Sequence, residues 1–85
     1  MARVEIYTTL LCPYCNRAKA LLRAKNIDFT EVDVGRDGTL RHTMTARAGG
    51  RRTVPQIFIG GLHIGGCDEL LALEAQGQLD ALLAA

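Results

Sequence analysis

Apolar positions along this chain switch repeatedly between the two-residue period of strands and the 3.6-residue period of helices. Val4-Glu5-Ile6-Tyr7 opens a β-rich run, and Thr8, Thr9, Leu10 and Leu11 lead away from it toward Cys12. From Pro13 to Lys25 the period changes: Tyr14, Ala18, Leu21 and Leu22 fall on one helical face, with Arg17, Lys19 and Arg23 elsewhere. Asn26 tolerates the left-handed conformation and stops that helix. Phe29 to Val34 then alternates apolar with polar, as expected of a strand with one solvated face. Leu40, Met44 and Ala48 recur at helical spacing between a turn at Gly35 and Gly38 and a breaker at Gly49-Gly50.

The run from Thr53 to Ile59 and the run Leu62-His63-Ile64 flank Gly60-Gly61, the pattern of a β-hairpin. Gly65-Gly66 opens a last helix, in which Asp68 and Glu69 suit the electropositive first turn and Leu70, Leu71 and Leu73 follow. Gly77 divides it from a short terminal helical piece with Leu79, Leu82 and Leu83. The predicted order is strand, helix, strand, helix, strand, strand, helix. A right-handed crossover makes the first two strands parallel, and the hairpin adds an antiparallel pair. The expected fold is therefore α/β and thioredoxin-like, a four-stranded mixed sheet with three main helices on both faces.

Size narrows the chemistry. Eighty-five residues, about half of them apolar, suffice for one small core and suggest a single domain, residues 1–85, that holds its substrate at the surface. Ten basic and nine acidic residues, a formal charge of +1, disfavour a nucleic-acid surface. No apolar stretch approaches the roughly 18 residues of a membrane span, and only Met1 to Arg3 precede the first apolar run, so a cytoplasmic location is expected. Arg36, Arg41, Arg47, Arg51 and Arg52 crowd the middle of the chain. They form either a basic rim for a small anion or, for the first three, an ordinary solvated face.

Cys12-Pro13-Tyr14-Cys15 carries the strongest chemical signal. Two thiols three positions apart, between a predicted strand and helix, suit disulfide exchange: unpaired amides and the helix dipole favour a Cys12 thiolate, and Cys15, one turn deeper, can resolve a mixed disulfide. Half of a zinc site would share the spacing, but His42 and His63 are isolated and no second ligand pair exists, so no metal site is expected. Pro13 either restrains the backbone between the sulfurs or simply starts the helix. Tyr14 is either an edge beside the attacking sulfur or a half-buried anchor.

Two further segments have chemical and structural readings. Pro55 interrupts a strand pattern, so it belongs at the first residue of the strand, in a cis bond that would aim the Val54 backbone outward to pair with an extended thiol peptide; the plainer reading is a turn proline. Gly65-Gly66-Cys67-Asp68 could form an anion-binding concavity with Asp68 facing an ammonium, or Asp68 could merely cap the helix. Cys67 reads as a small buried hydrophobe.

Taken together, Cys12-Pro13-Tyr14-Cys15, Arg52-Thr53-Val54-Pro55-Gln56-Ile57-Phe58-Ile59 and His63-Ile64-Gly65-Gly66-Cys67-Asp68 resemble, in order and spacing, the short dithiol glutaredoxins of bacteria. The resemblance spans nearly the whole chain. It implies a monomeric oxidoreductase with no tightly bound cofactor and with glutathione as co-substrate. Cys12 and Cys15 would be catalytic, acting on protein disulfides and glutathionylated proteins, ribonucleotide reductase among the conceivable clients. Pro13 and Tyr14 would flank the substrate, and Thr53, Val54 and Pro55 would pair with the cysteinyl backbone of glutathione. Gly66, Cys67 and Asp68 would hold its γ-glutamyl end, and Arg52 its glycyl carboxylate. Thr9 stands where many members of that family carry lysine, so one charge contact is missing and weaker glutathione capture is implied. Family potentials of about −200 to −230 mV put such a dithiol within reach of the glutathione pool.

Two rival functions remain at this level. The dithiol could be an electron donor reduced by a flavoprotein of the thioredoxin-reductase type, an option that the absence of a basic side chain at position 9 leaves open. It could also belong to a module that binds an iron–sulfur cluster through Cys12 and glutathione, which the bulky Pro13-Tyr14 pair and Cys15 disfavour.

Overall fold

The computed structural model describes residues 1–85. Four strands, β1 (Val4–Thr8), β2 (Thr30–Asp33), β3 (Gln56–Ile59) and β4 (Leu62–Gly65), form one sheet in the order β2-β1-β3-β4. The β1/β2 pair is parallel, and the β1/β3 and β3/β4 pairs are antiparallel. The helices are α1 (Pro13–Ala24), α2 (Gly38–Arg47), α3 (Cys67–Ala75) and a short α4 (Leu79–Ala84). No helix is long and apolar enough to cross a membrane.

Side-chain alternation on the two central strands divides the core. Val4 and Ile6 of β1 and Ile57 and Ile59 of β3 point to one face, where Ala18, Leu22, Leu70, Leu79 and Leu83 of the helices cover them. Tyr7 and Phe58 point to the other face and pack with Val34, Met44 and Ala48. Each fully buried Leu or Ile contributes roughly 1.5–3 kcal/mol of transfer free energy, so the larger cluster, spanning α1, α3 and α4, dominates the stability.

The smaller cluster has a polar lid. The Arg47 guanidinium lies 4.1 Å from the Phe58 ring centroid, donates to the Tyr7 hydroxyl at 2.8 Å and forks onto both carboxylate oxygens of Glu5 at 3.1 and 3.2 Å. Arg47 is thus neither part of a basic rim nor freely solvated. Its partners lie about forty positions away in sequence, where helical periodicity gives no hint of them.

Several element limits differ from the sequence expectation. The second strand shrinks to four residues because it is an edge strand, with only Val32 partly sheltered. The buried stripe of α1 is Cys15, Ala18 and Leu22, so Tyr14 falls off the apolar face and is 57% exposed. Pro55 stands one residue before β3 rather than at its first position, and the Val54–Pro55 peptide is cis. Asn26 adopts φ 58°, closing α1 as anticipated, and Gly49, Gly50 and Gly77 take positive φ at the other helix ends.

Candidate active site

The parallel β1/β2 pair and the crossover through α1 place the start of α1 just beyond the end of the central strand β1. Cys12 is the N-cap residue of α1, and Pro13 occupies the first helical turn, where its lack of an N–H costs nothing. Cys12 and Cys15 are joined as a disulfide with their Cα atoms 5.1 Å apart. The Cys15 amide donates to Cys12 Sγ at 3.1 Å, so the sulfur takes the place of the oxygen of an ordinary capping side chain. Cys15 is fully buried, whereas Cys12 retains 8% exposure, which makes Cys12 the sulfur an incoming group can reach. On reduction, the same amide and the helix dipole stabilise negative charge on Cys12.

A shallow groove beside the dithiol is lined by Tyr14, Arg51, Thr53, Val54, Pro55, Gly66, Cys67, Asp68 and Glu69. One wall is the segment before β3. Cys12 Sγ lies 3.9 Å from the Val54 carbonyl oxygen, and neither the N–H nor the C=O of Val54 bonds another backbone group. This wall is braced from behind by Gln56, fully buried, whose amide nitrogen donates to Thr53 O at 3.0 Å and Thr53 Oγ1 at 3.2 Å. The Gln56 amide oxygen is left as acceptor for His63 Nε2 at 2.7 Å. Burial pushes the His63 imidazole below its ordinary pKa and keeps it neutral, with the proton on Nε2.

The other wall is the first turn of α3. Gly66 is its N-cap, and the amides of Cys67 and Asp68 have no backbone partner. The cap is supplied by Glu69, whose Oε1 accepts from the Gly66 amide at 2.6 Å; Asp68 does not cap the helix and its carboxylate remains exposed. Arg51 Nη1 donates to that same Glu69 oxygen at 2.8 Å. The Arg51 guanidinium, and after it the Gly66 N–H, hold the Glu69 carboxyl below the usual carboxylate range. Cys67 is buried and free, and desolvation raises its thiol pKa.

The structure thus gathers Tyr14, Thr53, Val54, Pro55, Gly66, Cys67 and Asp68 around one groove, with Cys12 against its Val54 wall. Thr9, Pro13 and Arg52 do not line it. Thr9 belongs to a second hollow with Leu10, Leu11, Asp33, Gly35, Arg36 and Arg41. Arg41 joins the two places, since its Nη2 donates to the Arg52 carbonyl at 3.0 Å. In the sequence Arg41 and Arg51 stand out as members of a possible basic rim, and Glu69 gives no site signal of its own. The S/T/G-x-x-E capping spacing from Gly66 to Glu69 is the one clue that was available. No cluster of three or more His, Cys, Asp or Glu side chains is assembled anywhere in the chain.

A dithiol at the start of the first helix of a thioredoxin-like sheet, beside a cis-proline segment with unpaired backbone groups, defines a thiol–disulfide oxidoreductase. Comparison with known proteins narrows this further. Residues 4–64 match the protein-family model Glutaredoxin. The chain is 57% identical over 83 residues to Glutaredoxin 3 of Escherichia coli (strain K12), covering 98% of this chain and 99% of that one. Among solved structures it is similar to the solution structure of glutaredoxin from Brucella melitensis (55% identity, TM-score 0.86, 98% and 89% of the two chains). It is also similar to a buckwheat glutaredoxin solved as a complex with glutathione (28% identity, TM-score 0.89, 98% and 77%). The chain belongs to the glutaredoxin family.

Proposed function

We propose that this protein is a glutathione-dependent oxidoreductase that reduces glutathione mixed disulfides and protein disulfides through Cys12 and Cys15, as a cytoplasmic monomer with no tightly bound cofactor. The observation that carries this reading is the groove itself: an unpaired Val54 backbone beside the reachable sulfur, facing two free amides at the start of α3. Val54 N–H and C=O can pair with the cysteinyl backbone of glutathione like an added strand. The Cys67 and Asp68 amides can receive its γ-glutamyl carboxylate, and the exposed Asp68 carboxylate its ammonium. Tyr14 flanks the sulfur, and Thr53, Pro55 and Gly66 shape the walls. The solved glutathione complex of the buckwheat relative supports the same ligand class.

For the glycyl carboxylate, Arg52 is the counter-charge, and Arg41 reaches the same locality from α2 through the Arg52 carbonyl and the hollow shared with Thr9. This supplies positive charge on the side where position 9 offers only a hydroxyl.

The chemistry follows from which sulfur is accessible. On a glutathionylated client, the Cys12 thiolate attacks the glutathione sulfur, a Cys12–glutathione disulfide forms, and the client thiolate leaves and is protonated by solvent. A second glutathione thiolate then attacks the glutathione sulfur, releasing oxidised glutathione and restoring the Cys12 thiolate. On a protein disulfide, Cys12 forms the mixed disulfide, Cys15 attacks Cys12 Sγ, the client dithiol departs, and the Cys12–Cys15 disulfide is reduced by two glutathiones. Ribonucleotide reductase is one client to which two electrons could be delivered this way.

The direct test supplies electrons to the same oxidised protein from two sources, glutathione with glutathione reductase or a flavoprotein of the thioredoxin-reductase type. Turnover sustained by glutathione is the expected result. Turnover sustained only by the flavoprotein would overturn glutathione dependence and leave the dithiol chemistry standing.

A further inference from the structure

The groove's two walls come from distant parts of the sequence and are tied to each other at one point. Arg51, on the segment leading into Thr53-Val54-Pro55, donates to Glu69 Oε1, and that oxygen also accepts the Gly66 amide. We propose that Arg51 and Glu69 form a strut across the groove, and that both are positioning residues for the γ-glutamyl end of glutathione; the inference rests on the reading of that groove as the glutathione site.

The first-turn amides explain what the strut does. An acidic side chain at the third helical position can reach the free amides of its own helix start. If the Glu69 carboxylate swung onto the Cys67 or Asp68 amide, it would compete with the ligand carboxylate for the same donors and repel it. Arg51 holds Glu69 on the Gly66 amide instead, leaving the next two amides free, and neutralises its charge at the groove edge.

Glycine suits this approach most clearly at position 65, and position 66 is close-packed as well. Gly65 has φ +119°, and a Cβ there would stand 2.5 Å from Glu69 Oε1 and 2.9 Å from Glu69 Cγ. A Cβ on Gly66 would lie 3.3 Å from the Pro55 carbonyl oxygen on the opposite wall and 3.6 Å from Arg51 Nη2. The walls therefore approach most closely at Gly66, and the Arg51–Glu69 pair spans them there.

An exposed ion pair of this kind contributes little to global stability. Its effect is expected in substrate capture. With a glutathionylated peptide as substrate and glutathione as reductant, Arg51→Ala should raise KM for the peptide about fivefold with kcat held within about twofold. Arg51→Lys should recover most of that loss. Exchange of the Gly66 amide hydrogen, followed by NMR without any substrate, should accelerate in Arg51→Ala. In an Glu69→Ala background, removing Arg51 as well should raise KM no further.

If Arg51→Ala raised KM equally with and without Glu69, Arg51 would be a direct ligand contact and the strut would be wrong. Unchanged KM and unchanged Gly66 exchange in Arg51→Ala would overturn it too. A wild-type protein that failed to turn over with glutathione would overturn the functional reading and this inference with it. A wild-type protein that turned over, matched by Arg51→Ala, would overturn the inference alone.

Discussion

Two helix starts in this molecule each carry a cysteine, and they treat it in opposite ways. At α1, Cys12 is the N-cap itself: its sulfur accepts the Cys15 amide, a partner thiol lies one turn deeper, and the sulfur keeps an opening to solvent. At α3, Cys67 is one position further in, behind a glycine cap whose amide is already taken by Glu69. It is buried, has no partner thiol, and desolvation raises its pKa. A helix dipole is present at both ends. What separates the two sulfurs is the hydrogen bond that Cys12 receives, its opening to solvent and the neighbouring Cys15 thiol. The α3 start leaves the Cys67 and Asp68 amides free, the donors that the proposed function gives to a ligand, whereas the α1 start commits the Cys15 amide to the Cys12 sulfur.

The largest effect should come from exchanging the two sulfurs for oxygen. Cys12→Ser is expected to lower turnover of every disulfide substrate by more than about a hundredfold, while Cys67→Ser leaves it within about twofold. Comparable losses from both substitutions would erase the contrast between the helix starts.

Cys15→Ser should sharpen it by splitting the activities. Reduction of a protein disulfide, which needs the second thiol to release the client, should fall by more than about tenfold, whereas turnover of a glutathionylated peptide persists because glutathione itself resolves the intermediate. Parallel loss of both would mean that Cys15 supports Cys12 structurally rather than as a resolving thiol.

At the α3 start, Gly65→Ala forces a side chain into a positive-φ site against Glu69, and should cost about 1–3 kcal/mol in urea unfolding. An unchanged midpoint would show that the turn relaxes freely and that the close approach is not enforced.

The smallest effect is on pH dependence. Burial lowers the His63 pKa from its ordinary 6.5, so the unfolded chain binds this proton more readily than the folded one. The stability contributed by neutral His63 is complete above about pH 6.5 and is lost as pH falls from there toward the depressed folded value. Urea unfolding between pH 7.5 and 5.5 should show this limb (bounds approximate, roughly one unit either side of the ordinary value), and His63→Gln should lack it. A flat profile in the wild type would contradict the half-buried, neutral imidazole behind the Val54 wall.

Much of this architecture was legible locally. Element order, the parallel pair, the hairpin at Gly60-Gly61 and the left-handed stop at Asn26 all follow from short-range periodicity and turn chemistry. The dithiol and the two groove walls were visible as motifs, and seven of the expected residues do line one groove. What escaped depends on partners remote in sequence. Arg47 turned from a presumed surface charge into the lid over Phe58 because Glu5 and Tyr7 come to it across the sheet. Thr9 lies outside the groove, in a separate hollow that Leu10, Leu11 and Arg41 help to line, and Arg52, whose carbonyl accepts from Arg41, lines neither. Asp68 and Glu69 both looked like first-turn acids; only the meeting with Arg51 and the Gly66 amide made Glu69 the cap. Tyr14 shows a subtler limit: one residue of helical phase moved it from the apolar stripe to the rim beside Cys12.

The pH dependence of alkylation by iodoacetamide, read separately for each cysteine by mass spectrometry of the reduced protein, tests the contrast between the helix starts most directly. Cys12 should titrate below the ordinary cysteine value of about 8.5, and Cys67 should remain unlabelled or titrate above that value. A Cys12 midpoint at the ordinary value of about 8.5, or Cys67 labelled at neutral pH as fast as Cys12, would contradict the account.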